Sequence, residues 1–232
     1  MFGSSYFENP LTYRDATQIN EAMGRVYLHM GLAVLTSMVV SMLVASSPAL
    51  LTFFFTGAMK WVIMFLPLIA VFGIGFALAN DPPKEVAILL LHGFAAIMGL
   101  SFATIFVVFK IGSIVSAFMG AAVLFGVMSF YGYFTKRSLD SLGKFMFIGL
   151  IAIVIASIIN IFIGSNVLGM VISTLAIIIF TALTAYDTQK IREELQYVDV
   201  HPSAEIRGAL TLYLDFINIF LSLLQLTGSK NE

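Results

Sequence analysis

The sequence contains no cysteine and few charged residues, and both shortages limit what the protein can be. The lack of cysteine excludes disulfides and thiolate metal sites. Only 11% of the 232 residues are charged, whereas 59% are hydrophobic; a soluble domain carries roughly 25% charged residues. Too little polar surface remains for a water-facing domain of any size, so the composition predicts a polytopic membrane protein.

Several kinds of functional motif are also missing. The net charge is −1 and no basic run occurs, which excludes an electropositive surface for nucleic acid. There is no Gly-rich phosphate loop, no His-Glu-x-x-His run and no Ser-His arrangement, so we expect neither an enzyme of those kinds nor a cofactor. Residues 1–25 have mixed charge and do not resemble a cleaved signal peptide, so the first apolar segment is expected to remain as a span.

Seven apolar runs are long enough to cross roughly 30 Å of hydrocarbon at about 1.5 Å per residue. We predict an all-α integral membrane protein with seven transmembrane helices, in one domain over residues 26–228 between an amino-terminal segment (1–25) and a tail (229–232). Only Gly164, Ser165 and Asn166 separate the fifth and sixth runs, which predicts a tight hairpin. The runs are approximately 26–45, 60–79, 86–108, 112–134, 145–164, 167–187 and 208–227.

The basic residues between these runs predict an orientation. Nine of them fall on the side of the amino terminus, and only Lys60, Lys110 and Lys230 fall on the other. Because cytoplasmic loops carry the excess of Lys and Arg, we expect a cytoplasmic amino terminus and an external carboxyl terminus.

The last apolar run, from Gly208 to Gly228, carries one polar stripe. Its polar side chains recur at steps of four, three, four and three, which places them on one face of a helix. A carboxylate inside a bilayer costs roughly 3 kcal/mol on insertion scales, so the aspartate must face the protein interior or a wet cavity. The stripe therefore predicts a central helix; its members are Thr211, Asp215, Asn218, Ser222 and Gln225.

A second carboxylate, Asp187, lies near the cytoplasmic end of the sixth run. Asp215 lies eight residues after Arg207, or roughly 12 Å along the axis, so both acids fall in the cytoplasmic third of adjacent antiparallel helices. Two such carboxyl groups cannot both ionise cheaply, so we expect them to share a proton and act as a latch. The alternative is that Asp187 only meets water and Asp215 only bonds to a neighbouring helix.

Other polar residues give weaker signals. His29 and His92 could join a proton path or simply bond to neighbouring carbonyl groups. Glu21 and Arg25 lie one helical turn apart, which indicates an ordinary surface pair. Asn160, like Asn218, could bridge two helices through hydrogen bonds.

A tight metal site is not predicted. Calcium takes six to eight oxygen ligands. Asp187, Asp215, Asn218 and Thr211 supply only part of that shell, so we expect at most weak, transient calcium binding at the two aspartates.

Two stretches make the sequence similar to a known family. Thr184-Ala-Tyr-Asp-Thr-Gln-Lys-Ile191 and Leu212-Tyr-Leu-Asp-Phe-Ile-Asn218 resemble the bacterial branch of the Bax-inhibitor family, the transmembrane Bax-inhibitor-motif proteins; Phe130-Tyr-Gly-Tyr-Phe-Thr-Lys-Arg137 resembles the same branch. The resemblance covers nearly the whole chain.

This resemblance implies six helices around a central seventh and a pH-sensitive calcium leak. Its di-aspartyl sensor maps onto Asp187 and Asp215. It also implies calcium as the transported ion, protons and membrane lipid as partners, and a location in a bacterial inner membrane. A monomer is possible and protein partners are unknown. Residues that could line the pore or support the pair are Thr211, Asn218, Ser222, Gln225 and Tyr186.

The sequence departs from some relatives at two points. Those relatives have an arginine at the end of the second helix that engages the acidic pair, where this chain has Ala79-Asn-Asp-Pro-Pro-Lys84. Because Lys84 lies beyond two prolines, we do not expect that contact here. Gln225 stands where some relatives have a basic residue.

Two other functions remain open from sequence. An intramembrane aspartyl protease would also place Tyr186-Asp187 on a sixth helix and an aspartate on a seventh, but Tyr213-Leu214 precede Asp215 where that class needs glycine. A non-conducting membrane scaffold or stress regulator is the third possibility. For a leak, loss of the shared proton should drive the two acids apart, so opening is expected as pH rises.

Overall fold

The computed structural model describes residues 13–198 and 200–231, and these residues form eight α-helices. All except the short α2 are long and apolar enough to cross a membrane, which confirms an all-α integral membrane protein with seven such helices. The helices are α1 (Ala16–Ala45), α2 (Pro48–Phe55), α3 (Met59–Ala79), α4 (Lys84–Val108), α5 (Ile111–Phe134), α6 (Asp140–Ile163), α7 (Asn166–Glu194) and α8 (Ala204–Thr227).

Local chemistry explains where several helices begin and end. Asp15 and Gln18 form a capping box that starts α1 ten residues before the predicted span. Gly164 ends α6 in the left-handed conformation (φ 69°), and the Ser165 hydroxyl caps α7, which confirms the predicted tight hairpin. The first residues of the predicted amino-terminal segment, 1–12, lie outside the described residues, as does residue 232 of the predicted tail.

The helix α2 is an addition to the predicted scheme, which left residues 46–59 as a break between spans. Ser47 caps this helix and Pro48 occupies its first turn, where the missing N–H is not needed. None of its residues is buried.

The last membrane-length helix, α8, lies at the centre of the bundle. It has the largest buried share of the seven, and it packs against α7, α5 and α1, with smaller contacts to α4 and α3. The sixth helix, α6, packs mainly on α7. A hydrophobic stripe cannot account for this position, since α8 is buried almost all round.

Chain ends and loops are joined at both faces of the bundle. At one face, the Arg14 N–H donates to the Gln196 carbonyl (2.7 Å). At the other, the Lys110 N–H donates to the Ser229 carbonyl (3.0 Å), and the Asn231 N–H donates to the Val108 carbonyl (2.8 Å). The tail is thereby fixed beside the α4–α5 loop.

Candidate functional site

The two predicted acids face each other across the α7–α8 contact. A Cβ added to Gly208 would lie 2.9 Å from Ile191, and one added to Gly169 would lie 3.1 Å from Gln225 Nε2, so the two helices approach closely at both ends of the stripe. Asp187 and Asp215 lie between these points, and their carboxyl groups are near enough to act on each other electrostatically.

In this pair Asp215 is buried and Asp187 is partly exposed, and neither has a basic partner among the described residues. Asp215 is only 3% exposed, and its Oδ2 atom is buried without a hydrogen-bond partner. Among the described residues, no Lys or Arg forms an ion pair with Asp187 or Asp215. An orphaned carboxylate oxygen in such a place is costly unless a proton or a cation compensates it.

Tyr186, the neighbour of Asp187, lies on a different side of α7. A Cβ added to Gly143 of α6 would lie 2.5 Å from the Tyr186 ring, and Lys190 Nζ lies 5.9 Å from the centre of that ring. Tyr186 therefore packs between α7 and α6.

Two polar side chains of the α8 stripe form hydrogen bonds within α8 itself. Thr211 Oγ1 donates to the Arg207 carbonyl (3.1 Å), and Asn218 Nδ2 donates to the Leu214 carbonyl (2.7 Å). Ser222 is buried. Among the described residues, Asn218 forms its hydrogen bond within α8 and none to a second helix.

Gln225, at the end of the stripe, lines a polar chamber of about 610 Å³ beside the α6–α7 hairpin. Asn160 lies in the same chamber, and its Oδ1 accepts from the Ser165 N–H (3.1 Å), so it links the end of α6 to the residue that caps α7. Other lining residues include Asn166, Phe109 and Lys230.

A second buried acid, Glu205, is one that sequence reasoning missed. It is 6% exposed and accepts two-pronged hydrogen bonds from Arg25, at 2.6 Å from Nη2 and 3.0 Å from Nε. Lys84 Nζ lies 3.2 Å from the same carboxylate. Because α8 starts at Ala204, four residues before the predicted span, Glu205 belongs to the helix and not to a loop.

This cluster changes one interpretation of a basic residue and agrees with another. Arg25 does not form the predicted surface pair with Glu21, since its guanidinium is committed to Glu205 on α8. Lys84 pairs with Glu205 and not with the two aspartates, as expected. The signals in the sequence were Arg25 just before the first predicted span and Lys84 just before the third.

Arg207 connects the start of α8 to two neighbouring segments. It donates to Asp81, in the turn between α3 and α4, and to Glu194 at the end of α7. The Ser203 hydroxyl also donates to Asp81 (3.0 Å). These bonds, from Ser203 first and then Arg207, hold the pKa of the Asp81 carboxyl below its usual range.

The two histidines do not bond to carbonyl groups. His92 Nδ1 lies 2.9 Å from the Thr36 hydroxyl, which joins α4 to α1. His29 Nδ1 is buried and has no hydrogen-bond partner. Within residues 13–198 and 200–231, no three His, Asp or Glu side chains gather as they would around a metal ion.

Comparison with known proteins agrees with the motif resemblance. The family model described as "Inhibitor of apoptosis-promoting Bax1" matches residues 19–232. The chain belongs to the Bax inhibitor family. Within this family, it is 36% identical to the "Inner membrane protein YbhL" of Escherichia coli (strain K12) over 213 residues, which cover 90% of this chain and 91% of that protein.

Other bacterial relatives match over similar lengths. The "Uncharacterized protein RP147" of Rickettsia prowazekii is 36% identical over 216 residues, or 90% of each chain. An "Uncharacterized protein" of Deinococcus radiodurans is 34% identical over 221 residues, covering 92% of this chain and 93% of the relative. The Bax inhibitor assignment therefore rests on the whole membrane bundle and not on one motif.

Proposed function

We propose that this protein is a pH-sensitive calcium leak channel or transporter, gated by a proton that Asp187 and Asp215 share. The observation that carries the proposal is the proximity of two carboxyl groups on adjacent membrane-length helices, without a basic partner among the described residues. An ionisable group within a membrane helix marks an ion or proton pathway by default.

The proton state of the pair would set its geometry. With one shared proton, the two groups attract each other and hold α7 against α8. With both groups ionised, two neighbouring negative charges repel each other and attract a divalent cation. We therefore propose that the pathway opens as pH rises.

The remainder of the pathway would follow the α7–α8 contact. The stripe continues from Asp215 through Asn218 and Ser222 to Gln225, which lines the polar chamber. Asn218 uses its Nδ2 within the helix, so its Oδ1 remains available to a passing cation. Two carboxylates and a few neutral oxygens fall short of a full calcium shell, which suits transient binding and not storage.

The location proposed is a bacterial inner membrane, because YbhL, which matches over nine-tenths of both chains, is named an inner membrane protein. With the amino terminus in the cytoplasm, the aspartate pair lies toward the cytoplasm and the chamber opens outside. Calcium would then enter the cell down its gradient. We propose no enzymatic activity and no resident cofactor.

Calcium flux into proteoliposomes between about pH 5 and pH 8 tests the gate. The wild-type protein should leak at least about tenfold faster at the upper end, as one shared proton is lost. Asp187→Asn and Asp215→Asn should each vary by less than about twofold over the same range, since neither can share the proton. The matched control is Asp140→Asn, which removes an exposed aspartate paired with Lys190 and should keep the wild-type profile.

Two other results would contradict the proposed gate. If both asparagine variants keep the wild-type pH profile, the sensor assignment is wrong. Reconstituted protein that moves no ion at any pH would instead indicate a non-conducting membrane regulator.

The same proximity of two aspartates favours one rival, an intramembrane aspartyl protease, since that chemistry needs two carboxyl groups that share a proton. Tyr213 and Leu214 precede Asp215 where that class needs glycine. Cleavage of a transmembrane substrate that disappears in Asp215→Ala, without any calcium flux, would replace the leak with proteolysis.

A further inference from the structure

A seam between α1 and α5 lies over the central helix. Both helices pack against α8, and they meet each other toward the amino-terminal end of α1, where the Tyr27 and Ser129 hydroxyls bond (2.7 Å) and the Tyr133 hydroxyl donates to Asn20; elsewhere along the described chain they make few direct contacts. Two neighbouring cavities follow this seam and share Val34 and Phe118 in their walls. The deeper one measures about 220 Å³ and lies beside the carboxyl-terminal half of α8.

This deeper cavity opens to the lipid-facing surface. At its mouth, Met42 of α1 is 51% exposed and Ile111 of α5 is 70% exposed. Its floor reaches α8 at Ile217 and Phe220, both buried. In a membrane, the mouth therefore faces lipid chains, and the floor is the central helix.

The residues that line this cavity favour an apolar ligand. Apart from Ser37 and Ser41, the walls are hydrophobic, and Ser37 Oγ already bonds to the Tyr213 hydroxyl (2.7 Å). Water needs two to four polar partners, so it would not fill this space. An engineered apolar cavity of about 150 Å³ stays dry and takes up small hydrophobic molecules, and this one is larger.

Ser41 provides one specific polar contact. Its side chain lines the cavity, is 1% exposed, and has a hydroxyl without a hydrogen-bond partner. The ten residues by which α1 precedes its apolar span carry Glu21 and Arg25, so the extra length lies at the amino-terminal end and residues 26–45 cross the hydrocarbon. Ser41 lies four residues, or about 6 Å, from the carboxyl-terminal end of that span, within reach of the phospholipid ester groups at the boundary.

We propose that the α1–α5 seam binds one acyl chain of a membrane phospholipid, with the ester carbonyl accepting a hydrogen bond from Ser41 and the chain lying against Ile217 and Phe220. The chain would lie over α8 and fill the space between α1 and α5. This site is separate from the aspartate pair, so its test does not depend on the proposed calcium leak.

Photo-crosslinking of the full-length protein in phospholipid vesicles tests the site. The probe is a phosphatidylglycerol with a diazirine in one acyl chain, and labelled residues are mapped by mass spectrometry of peptides. Label on Ile217 or Phe220 of α8 is the expected result, since a chain must enter the seam to reach them.

Four variants distinguish an acyl chain that enters the cavity from one that only touches the surface of the bundle. Ser41→Leu fills the cavity and should lower α8 labelling about tenfold, whereas Ser41→Ala removes only the donor and should lower it about threefold. Leu43→Phe is the matched control, because Leu43 lies on the lipid-facing side of α1, 62% exposed, and should leave α8 labelling unchanged. Ile114→Phe fills the same cavity from α5 and replaces Ser41→Leu if that variant does not fold.

Opposite results would overturn the proposal. Label confined to exposed residues, with none on α8, would show that no chain enters the seam. If Ser41→Leu or Ile114→Phe gave as much label on α8 as the wild type, the lipid would bind outside this cavity.

Discussion

At the scale of single residues, the buried charge of this protein is concentrated in two acids on α8. Asp215 could be predicted from sequence, because a carboxylate in an otherwise apolar helix is conspicuous and must face the interior. Glu205 could not, since it lies before the apolar run begins. Its partners Arg25 and Lys84 come from α1 and α4, and only the packed bundle brings them to it.

Loss of the Glu205 charge should destabilise the bundle. In Glu205→Gln, two partly buried cations keep their charge but lose their carboxylate, and the expected loss is about 2 kcal/mol. For a chain of this size, that corresponds to a fall in the unfolding midpoint of about 4–8 °C in detergent. Thermal unfolding followed by circular dichroism provides the measurement.

The control for this prediction is Glu21→Gln, which removes the other carboxylate near Arg25. Glu21 is exposed and forms no ion pair among the described residues, so its unfolding midpoint should stay within about 1 °C of wild type. Equal effects of the two substitutions would mean that Glu205 acts only through general surface charge.

At the scale of helices, the position of the aspartate pair depends on close contacts of α7 with its neighbours. On the α8 side, Gly208 meets Ile191 and Gly169 meets Gln225. On the α5 side, Gly132 lies directly against the backbone of Ala185, two residues before Asp187. The sequence alone does not show which glycines meet a neighbouring helix.

A methyl group at Gly132 should therefore push α5 away from α7. Gly132→Ala would place its Cβ against the Ala185 carbonyl, which cannot move without shifting α7, and overpacking of this kind costs about 1–3 kcal/mol. The unfolding midpoint should fall by several degrees.

The same helix offers a matched control. Gly126 of α5 has no neighbouring atom within 4 Å of an added Cβ, so Gly126→Ala should be neutral or stabilising by up to about 1 kcal/mol, through helix propensity alone. If Gly132→Ala proved as harmless as Gly126→Ala, α5 and α7 would not be in the close contact described.

At the scale of the whole molecule, seven membrane-length helices place the two chain ends on opposite faces. The described tail is joined to the α4–α5 loop, and the segment before α1 is joined to the α7–α8 loop. The excess of Lys and Arg in the loops on the amino-terminal side predicts that this side is cytoplasmic.

The absence of cysteine makes this orientation easy to test. Ser229→Cys, beside the α4–α5 loop, should react with a membrane-impermeant maleimide on intact cells. Ser138→Cys, in the loop between α5 and α6, should react only after the membrane is opened. Both serines are exposed, so they serve as controls for each other. The reverse pattern would invert the proposed direction of calcium entry.

The sequence by itself determined the class of the protein, its seven spans and the two intramembrane acids, because membrane crossing depends on local hydrophobicity and on the cost of burying charge. The tertiary structure alone decided that Arg25 and Lys84 bind Glu205, that Tyr186 packs toward α6, and that α1 and α5 leave a seam over α8. Helices in lipid pack through shape and not through a hydrophobic pattern, so the sequence carries little record of which faces meet.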